Sequence, residues 1–269
     1  MTDTPDFGNT SQTVQILELS ESLNKLASIK QLSSTESREE RDLFIQNVKA
    51  ILKPLQIYPF TIPRRYGNLL DISVDQEANQ VLQLCEDQVM TMKPIEVTRD
   101  GNCLFNVFAT FLLGKPDAKM SKILRVYSTF EMIRNIDVYK RDELCRGYLR
   151  HPDGRQADDQ EIETEIIKEA KCCAQLKEPC GFITLIAIAN ILRRSIRLVH
   201  PIPSNNIKLA HDPNVMNQTI HPTVTVPAAE RPEAIYVLAC GNVEGLMRGE
   251  EWRPSHFVLL IDPNSPADV

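Results

Sequence analysis

A short glycine-containing segment followed at once by an apolar helical pattern constrains this chain more than any other part of its sequence. The segment reads Arg99-Asp100-Gly101-Asn102-Cys103-Leu104-Phe105. Beyond it, apolar side chains recur at the spacing of a helix packed on one face, at Leu104, Val107, Phe108, Phe111 and Leu112. The sequence therefore predicts a turn and then a helix that begins at Cys103.

The predicted position of Cys103 has a chemical consequence. The first N–H groups of a helix have no acceptor within the helix, and the helix dipole is positive at this end. Both effects favour a thiolate over a thiol, which is the condition for a nucleophilic cysteine, and the same N–H groups could bind an oxyanion. A buried structural cysteine is the alternative, because cysteine is among the most frequently buried residues. A partner base is needed to choose between the two interpretations.

Of the five histidines in the chain, His256 is the best placed to be that base. It opens the apolar run 256–261, which predicts a short buried strand. A histidine at the mouth of a core strand can meet the N-terminus of a helix. The other four histidines lie beside or near prolines in predicted loops or strand ends, where we expect solvated side chains: His151, His200, His211 and His221.

Two blocks of the sequence, in this order along the chain, resemble the OTU (ovarian tumour) family of cysteine proteases. The first is the hexapeptide at 100–105, and the second is the tetrapeptide Ser255-His256-Phe257-Val258. Between them, residues 180–189 and 196–199 resemble the family's buried helix and the central strand that follows it. The resemblance covers residues 78–262. It implies a papain-like α/β fold, in which a small central β-sheet is flanked by helices, and hydrolysis of bonds to the C-terminal glycine of ubiquitin or a ubiquitin-like modifier.

The residues themselves also support a cysteine–histidine mechanism. In such a hydrolase the imidazole takes the thiol proton, the thiolate attacks a carbonyl, backbone donors stabilise the oxyanion, and water releases the acyl-enzyme. We predict Cys103 as the nucleophile, His256 as general base and then acid, and the backbone of Asp100, Gly101, Asn102 and Cys103 as the oxyanion hole. Gly101 suits this loop because a residue without Cβ permits a tight turn and the close approach of a substrate carbonyl.

The third catalytic member is where the sequence departs from the family. Many OTU enzymes carry Asn or Asp two residues after the histidine, whereas this chain has Val258 there. Asp262 is six residues along the predicted strand from His256, so at about 3.3 Å per residue it lies roughly 20 Å away and cannot orient the imidazole. Asp100 is the remaining local carboxylate. It either braces the loop through backbone N–H groups, which we favour, or acts as the third member.

Composition limits the classes of partner and compartment. The net charge of -6 and the lack of a basic stripe argue against nucleic acid as a principal ligand. Seven cysteines, an odd number without regular spacing, predict a reducing compartment rather than a disulfide framework. No signal-peptide or membrane-spanning pattern is evident, so we expect a soluble protein of the cytoplasm, with the nucleus as a further location.

Cys172, Cys173 and Cys180 lack the spacing of a zinc site, and we predict neither a metal nor another cofactor.

With 269 residues, the chain is long enough for one domain with a substantial core and an extension. We predict an N-terminal helical extension over residues 1–74, an OTU-like cysteine protease domain over 75–264 and a C-terminal tail over 265–269. The extension contains two amphipathic helical patterns, which either shield the catalytic domain or bind a partner. Aliphatic runs predict the strands of the central sheet at 195–200, 235–240 and 256–261.

Two groups of residues are candidates for substrate binding. Trp252 and Phe257 lie close to the predicted base in sequence and are candidates to line a substrate channel, with core packing as the alternative for Trp252. Asp158, Asp159 and Glu161 belong to an acidic stretch that is ordinarily a solvated helix face. In the OTU family the corresponding arm lies near ubiquitin. The resemblance therefore suggests that these acids pair with the arginines of ubiquitin's C-terminal tail.

Taken together, these features favour a thiol-dependent deubiquitinase that cleaves isopeptide bonds to ubiquitin or a ubiquitin-like modifier. Its expected partners are ubiquitin, polyubiquitin chains and ubiquitinated proteins. One alternative is a catalytically inactive OTU fold that binds ubiquitin or acts as a scaffold, which the valine at position 258 makes credible. Another is a papain-like protease or transferase that does not act on ubiquitin.

Overall fold

The computed structural model describes residues 11–29, 37–56, 60, 69, 72–149, 154–202, 208–209, 216–223, 233–244, 248, 251–252 and 254–263. Over these residues the chain is a mixed α/β structure, which confirms the predicted fold class. None of the helices in the described ranges has both the length and the apolar character that crossing a membrane requires.

The helices, in chain order, are α1 (Ser11–Ile29), α2 (Arg38–Ile51), α3 (Gln76–Leu82), α4 (Cys103–Leu113), α5 (Ala118–Arg134), α6 (Ile136–Tyr139), α7 (Glu143–Tyr148), α8 (Asp159–Ala174) and α9 (Phe182–Leu192). The strands are β1 (Lys93–Ile95), β2 (Ile196–Val199), β3 (Lys208–Leu209), β4 (Thr219–Ile220), β5 (Ile235–Cys240), β6 (Glu251–Trp252) and β7 (His256–Ile261). By contact, the chain divides into two compact units, one of residues 1–63 and 118–192 and one of residues 64–117 and 193–269.

The first unit is helical and is organised around α5, which contacts α1, α2, α8 and α9. A capping box starts α2, since Ser37 and Glu40 each accept a hydrogen bond from the other's backbone N–H. The apolar face of α2 then buries Phe44 and Val48. The two N-terminal helices therefore pack with α5 and α8. The predicted domain boundaries at residues 74 and 264 stay predictions, and the tail 265–269 lies outside the described residues.

One buried guanidinium holds the connection between α8 and α9. The Arg125 side chain is 1% exposed, and it donates hydrogen bonds to the carbonyl oxygens of Cys172 at 2.9 Å, Gln175 at 2.7 Å and Glu178 at 2.7 Å. A buried carbonyl without a donor costs about 1–3 kcal/mol. Arg125 thus satisfies several acceptors that the end of α8 would otherwise leave without a hydrogen bond.

The second unit contains a five-stranded sheet with the order β1-β7-β5-β2-β4. β2 and β5 are parallel and the other neighbours are antiparallel, while β3 and β6 form a separate parallel pair. The predicted strands at 235–240 and 256–261 agree with β5 and β7, and the prediction at 195–200 is one residue too long at each end of β2.

The face of the sheet that α3 covers is the face that carries His256. Side chains alternate between the two faces of a strand, so His256, Val258 and Leu260 lie on the same face of β7. Val258 and Leu260 pack into a buried cluster with residues of α3 and of β5: Ala78, Val81, Leu82, Leu238 and Cys240. The start of α3 is thereby directed toward the end of β7 that carries His256.

We expect the replacement Arg125→Met to lower the free energy of unfolding by about 3 kcal/mol or more, because several buried carbonyls lose their donor. Urea denaturation monitored by circular dichroism measures this. The matched control is Lys122→Met, at an exposed position of the same helix, for which we expect a change within about 0.5 kcal/mol. Equal losses in the two variants would contradict the structural role of Arg125.

Candidate active site

Cys103 is the first residue of α4, and the residue is 7% exposed. The turn before it depends on Gly101, whose φ of 78° lies in the left-handed region that glycine adopts without strain. The N-cap residue Asn102 makes no side-chain cap hydrogen bond. The structure thus places Cys103 in the first turn of a helix, where the backbone N–H groups have no acceptor within the helix.

The Asp100 carboxylate braces this turn. It accepts hydrogen bonds from the Asn102 N–H at 3.0 Å, from the Asn102 side-chain amide at 3.1 Å and from the Asn106 side-chain amide at 3.1 Å. The same Asn106 amide also donates to the Thr98 carbonyl oxygen. Asp100 therefore ties the loop to the first turn of α4. One of the four predicted oxyanion donors, the Asn102 N–H, is engaged in this bracing, and the oxyanion hole itself stays a prediction.

His256 is the first residue of β7, directly opposite Cys240 of β5. Its residue surface is 3% exposed, and neither ring nitrogen has a hydrogen-bond partner among the described residues. The helix that carries Cys103, α4, packs against β7. Nε2 of the ring lies 3.8 Å from Oδ2 of Asp75, which is beyond hydrogen-bond distance but close enough for a strong electrostatic interaction.

Asp75 is fixed in this position by both neighbouring elements. It is the N-cap of α3, and its Oδ1 accepts the Ala78 N–H at 2.9 Å. Its own N–H donates to the Pro94 carbonyl oxygen of β1 at 3.0 Å, next to an isolated bridge between Val74 and Ile95. The Asp75 residue is only 5% exposed. A carboxylate that is buried and held from two sides can orient a neighbouring imidazole.

Sequence analysis missed Asp75 as a site residue, although one signal was present. An aspartate directly before an apolar helical pattern predicts an N-cap, and such a residue ordinarily needs no further role. What brings Asp75 near His256 is the packing of α3 on the sheet, where it contacts β1 and β5, and this packing joins residues far apart in the chain. The same packing explains why position 258 carries a valine, because this side chain lies in the buried cluster that α3 covers.

The environment of His256 favours the neutral imidazole. Burial lowers its pKa to about 4, and the positive charge of Arg99 acts in the same direction, while the negative charges of Asp75 and Glu77 oppose the shift. At neutral pH the ring therefore carries no charge and has one nitrogen available to accept a proton. This is the protonation state that a general base requires.

The three acids predicted to meet a substrate have intramolecular partners. Asp158 is the N-cap of α8, Asp159 pairs with Arg146, and Glu161 pairs with Arg155 while closing the capping box of α8. Both oxygens of Glu161 are engaged, at 2.8 Å and 2.9 Å. These contacts account for the acidic stretch as helix start signals and surface ion pairs. Their role toward ubiquitin stays a prediction.

The two predicted aromatic residues differ in what the structure shows of them. Trp252 ends β6, opposite Leu209 of β3, but its side chain lies outside the described part of the chain. Phe257 is half-buried and pairs with Ala239. Strand alternation places it on the opposite face of β7 from His256. Substrate binding by either residue stays a prediction.

No group of three or more histidine, cysteine, aspartate or glutamate side chains is arranged to hold a metal ion within the described ranges. All seven cysteines are thiols outside any disulfide. The candidate site is thus an arrangement of side chains and backbone in the second unit: Cys103 and Asp100 at the start of α4, His256 at the start of β7 and Asp75 at the start of α3.

The depressed pKa of His256 predicts that the free energy of unfolding decreases as the pH falls. The folded-state pKa of about 4 lies below the ordinary value of 6.5, so the unfolded chain binds an extra proton between these values and the stabilisation is lost as pH falls through this window. We expect wild type to lose up to about 3 kcal/mol more than His256→Gln between pH 6.5 and 4. Urea unfolding at several pH values measures the difference. Parallel curves for His256→Gln and wild type would contradict the prediction.

Comparison of the sequence with known protein families gives one match. The model of the family described as the OTU domain of vertnin matches residues 94–238, more than half of the chain. No curated protein matches the chain. The matched region includes the whole loop at 99–105 and α4, and it ends within β5, before His256. The resemblance predicted from the motifs is confirmed, and the chain belongs to the OTU domain family.

Proposed function

We propose that this protein is a thiol-dependent hydrolase that cleaves isopeptide bonds at the C-terminal glycine of ubiquitin or a ubiquitin-like modifier. OTU domains are generally cysteine-protease deubiquitinases. The observation that carries the proposal for this chain is the position of Cys103 in the first turn of α4, on a helix that packs against the strand of a buried histidine and its carboxylate neighbour.

Under this proposal the two ring nitrogens of His256 have different roles. Because Nε2 faces the Asp75 carboxylate, Nδ1 is the nitrogen left to take the thiol proton. The electrostatic attraction between Asp75 and the ring grows when the ring becomes an imidazolium. Asp75 would therefore stabilise the protonated state that forms during the reaction, whereas the resting ring is neutral.

The reaction then proceeds through a covalent intermediate. The Cys103 thiol gives its proton to His256, and the thiolate attacks the carbonyl carbon of the terminal glycine, which forms the tetrahedral oxyanion. Backbone N–H groups at the start of α4 stabilise this negative charge. As the C–N bond breaks, the imidazolium protonates the departing lysine amine, and water then hydrolyses the thioester to regenerate the thiol.

An electrophilic probe tests this proposal directly. We expect ubiquitin carrying an electrophile at its C-terminus to form one covalent adduct with wild type, because the thiol of Cys103 attacks the group that replaces the scissile carbonyl. The adduct should be absent from Cys103→Ala and slowed in His256→Gln. Intact-mass analysis and peptide mapping measure adduct formation and its position.

The matched control is Cys240→Ala. Cys240 is buried directly opposite His256, and burial raises the pKa of its thiol well above the ordinary range, so it should stay unreactive and its removal should leave the adduct intact. Tight binding of ubiquitin without an adduct would instead support the inactive binding module. The absence of both binding and adduct would reject ubiquitin as the modifier, and probes built on ubiquitin-like modifiers would then test the rest of the proposal.

Paired variants test which carboxylate assists His256. We expect Asp75→Asn to lower kcat by at least ~10²-fold, because the ring loses the charge that stabilises its protonated form. Asp100→Asn should cause a smaller loss, since the side chain keeps an oxygen for the Asn102 N–H. Steady-state hydrolysis of a fluorogenic ubiquitin amide measures both.

The N-cap function of Asp75 requires its own control. Asp142 caps α7 by accepting the Cys145 N–H at 2.8 Å, as Asp75 does for α3, so Asp142→Asn reports the effect of weakening such a cap alone. It should leave kcat unchanged. A large loss in Asp100→Asn with a neutral Asp75→Asn would assign the third role to Asp100 and overturn this arrangement.

A further inference from the structure

We propose that Arg99 is a positioning residue for this site, which holds the Asp75 carboxylate so that one of its oxygens faces His256. The proposal rests on the function proposed above. Arg99 lies outside the catalytic pair. It acts by holding Asp75 and by the positive charge that it places near the ring.

The contacts of the guanidinium show how the carboxylate is held. Nη2 of Arg99 lies 3.2 Å from Oδ1 and 3.1 Å from Oδ2 of Asp75, so a single nitrogen spans both oxygens. Oδ1 also accepts the Ala78 N–H, and Oδ2 is the oxygen that faces Nε2 of His256. With Oδ1 held from two sides, rotation of the carboxylate would break two hydrogen bonds. Oδ2 therefore stays directed toward the ring.

The second terminal nitrogen of Arg99 holds another carboxylate. Nη1 donates to Oε2 of Glu77 in the first turn of α3, so the two terminal nitrogens hold two different carboxylates. The Arg99 side chain is 45% exposed, whereas that of Asp75 is 5% exposed. A planar guanidinium with donors in a fixed geometry performs this bridging, and a lysine ammonium lacks the same fork.

Three charged groups face His256 from the elements around it. Asp75 and Glu77 belong to the start of α3, and Arg99 belongs to the segment that leads to Cys103. The other titratable neighbours are thiols: Cys103 at the start of α4, and Cys240 on β5, where burial raises the thiol pKa. The balance between one cation and two carboxylates therefore sets the charge around the ring, and Arg99 is the cation in that balance.

The surroundings of Arg99 make it suitable for substitution. Arg99, Asp75 and Glu77 line an open groove of about 810 Å³, so shortening the arginine side chain enlarges a solvated space and does not leave a cavity in the core. We expect Arg99 variants to fold. Thermal unfolding of each variant checks this before any activity is compared.

The first test observes the ring directly and needs no activity. Without the Arg99 cation, Asp75 and Glu77 act on His256 unopposed, so Arg99→Gln should raise the pKa of His256 by about 1. The NMR titration of the ring Cε1–H signal measures this, with the signal identified by its absence in His256→Gln. Arg99→Lys, which keeps the charge, should leave this pKa near the wild-type value.

The second test measures turnover of the fluorogenic ubiquitin amide. Arg99→Gln should lower kcat by about 10- to 100-fold through loss of orientation, with KM changed by less than about twofold because the proposed role acts on the ring and not on substrate affinity. The acid limb of kcat/KM should move to higher pH together with the NMR value. Arg99→Lys should recover part of kcat.

The matched control is Arg197→Gln. Nη2 of Arg197 also spans both oxygens of a carboxylate, that of Glu86, at 3.2 Å and 3.0 Å, but this pair does not touch Asp75. The control should leave the His256 titration and kcat unchanged. An unaltered titration and kcat in Arg99→Gln would overturn the positioning role, and so would a higher kcat, which would make Arg99 a restraint on Asp75. If wild type itself shows no Cys103-dependent turnover, the proposed function fails, whereas the titration still tests the contact between Arg99, Asp75 and His256.

Discussion

The packing of α3 over the sheet face that carries His256 is the contact on which the candidate site depends. Val81 and Leu82 of α3 share a buried apolar cluster with Val258 and Leu260 of β7, and α3 contacts β1 and β5. Because α3 begins near the end of β7 that carries His256, its capping carboxylate, Asp75, lies 3.8 Å from the imidazole. Hydrophobic burial is not directional, but here it places two polar groups whose interaction is directional.

The same carboxylate performs several physical tasks. Asp75 satisfies an N–H group at the start of α3, forms an ion pair with Arg99 and faces His256. Each task uses the oxygens of the same carboxylate, which accept hydrogen bonds from the Ala78 N–H and from Arg99. Stability of the helix start and electrostatics of the candidate site are thus coupled through one residue, and a change at Asp75 affects both.

The two acids of the candidate site, Asp100 and Asp75, have different partners. Asp100 directs its oxygens at the N–H groups of its own turn, whereas Asp75 is directed at His256. An acid close to the nucleophile in sequence braces the backbone, and an acid brought by a separate element faces the ring. The local carboxylate was visible in the motif, but its partners depend on the left-handed turn at Gly101, which brings Asn102 and Asn106 within its reach.

By itself, the sequence determined the OTU family, the helix that begins at Cys103 and the strand that begins at His256. These features are local, since helical periodicity, a glycine turn and an aliphatic run are each written in consecutive residues. Only the tertiary structure decided that Asp75 faces His256, that Val258 belongs to the core and that Asp158, Asp159 and Glu161 already have partners. Such relations join residues far apart in the chain, or depend on the orientation of side chains, and no pattern of neighbouring residues reports them.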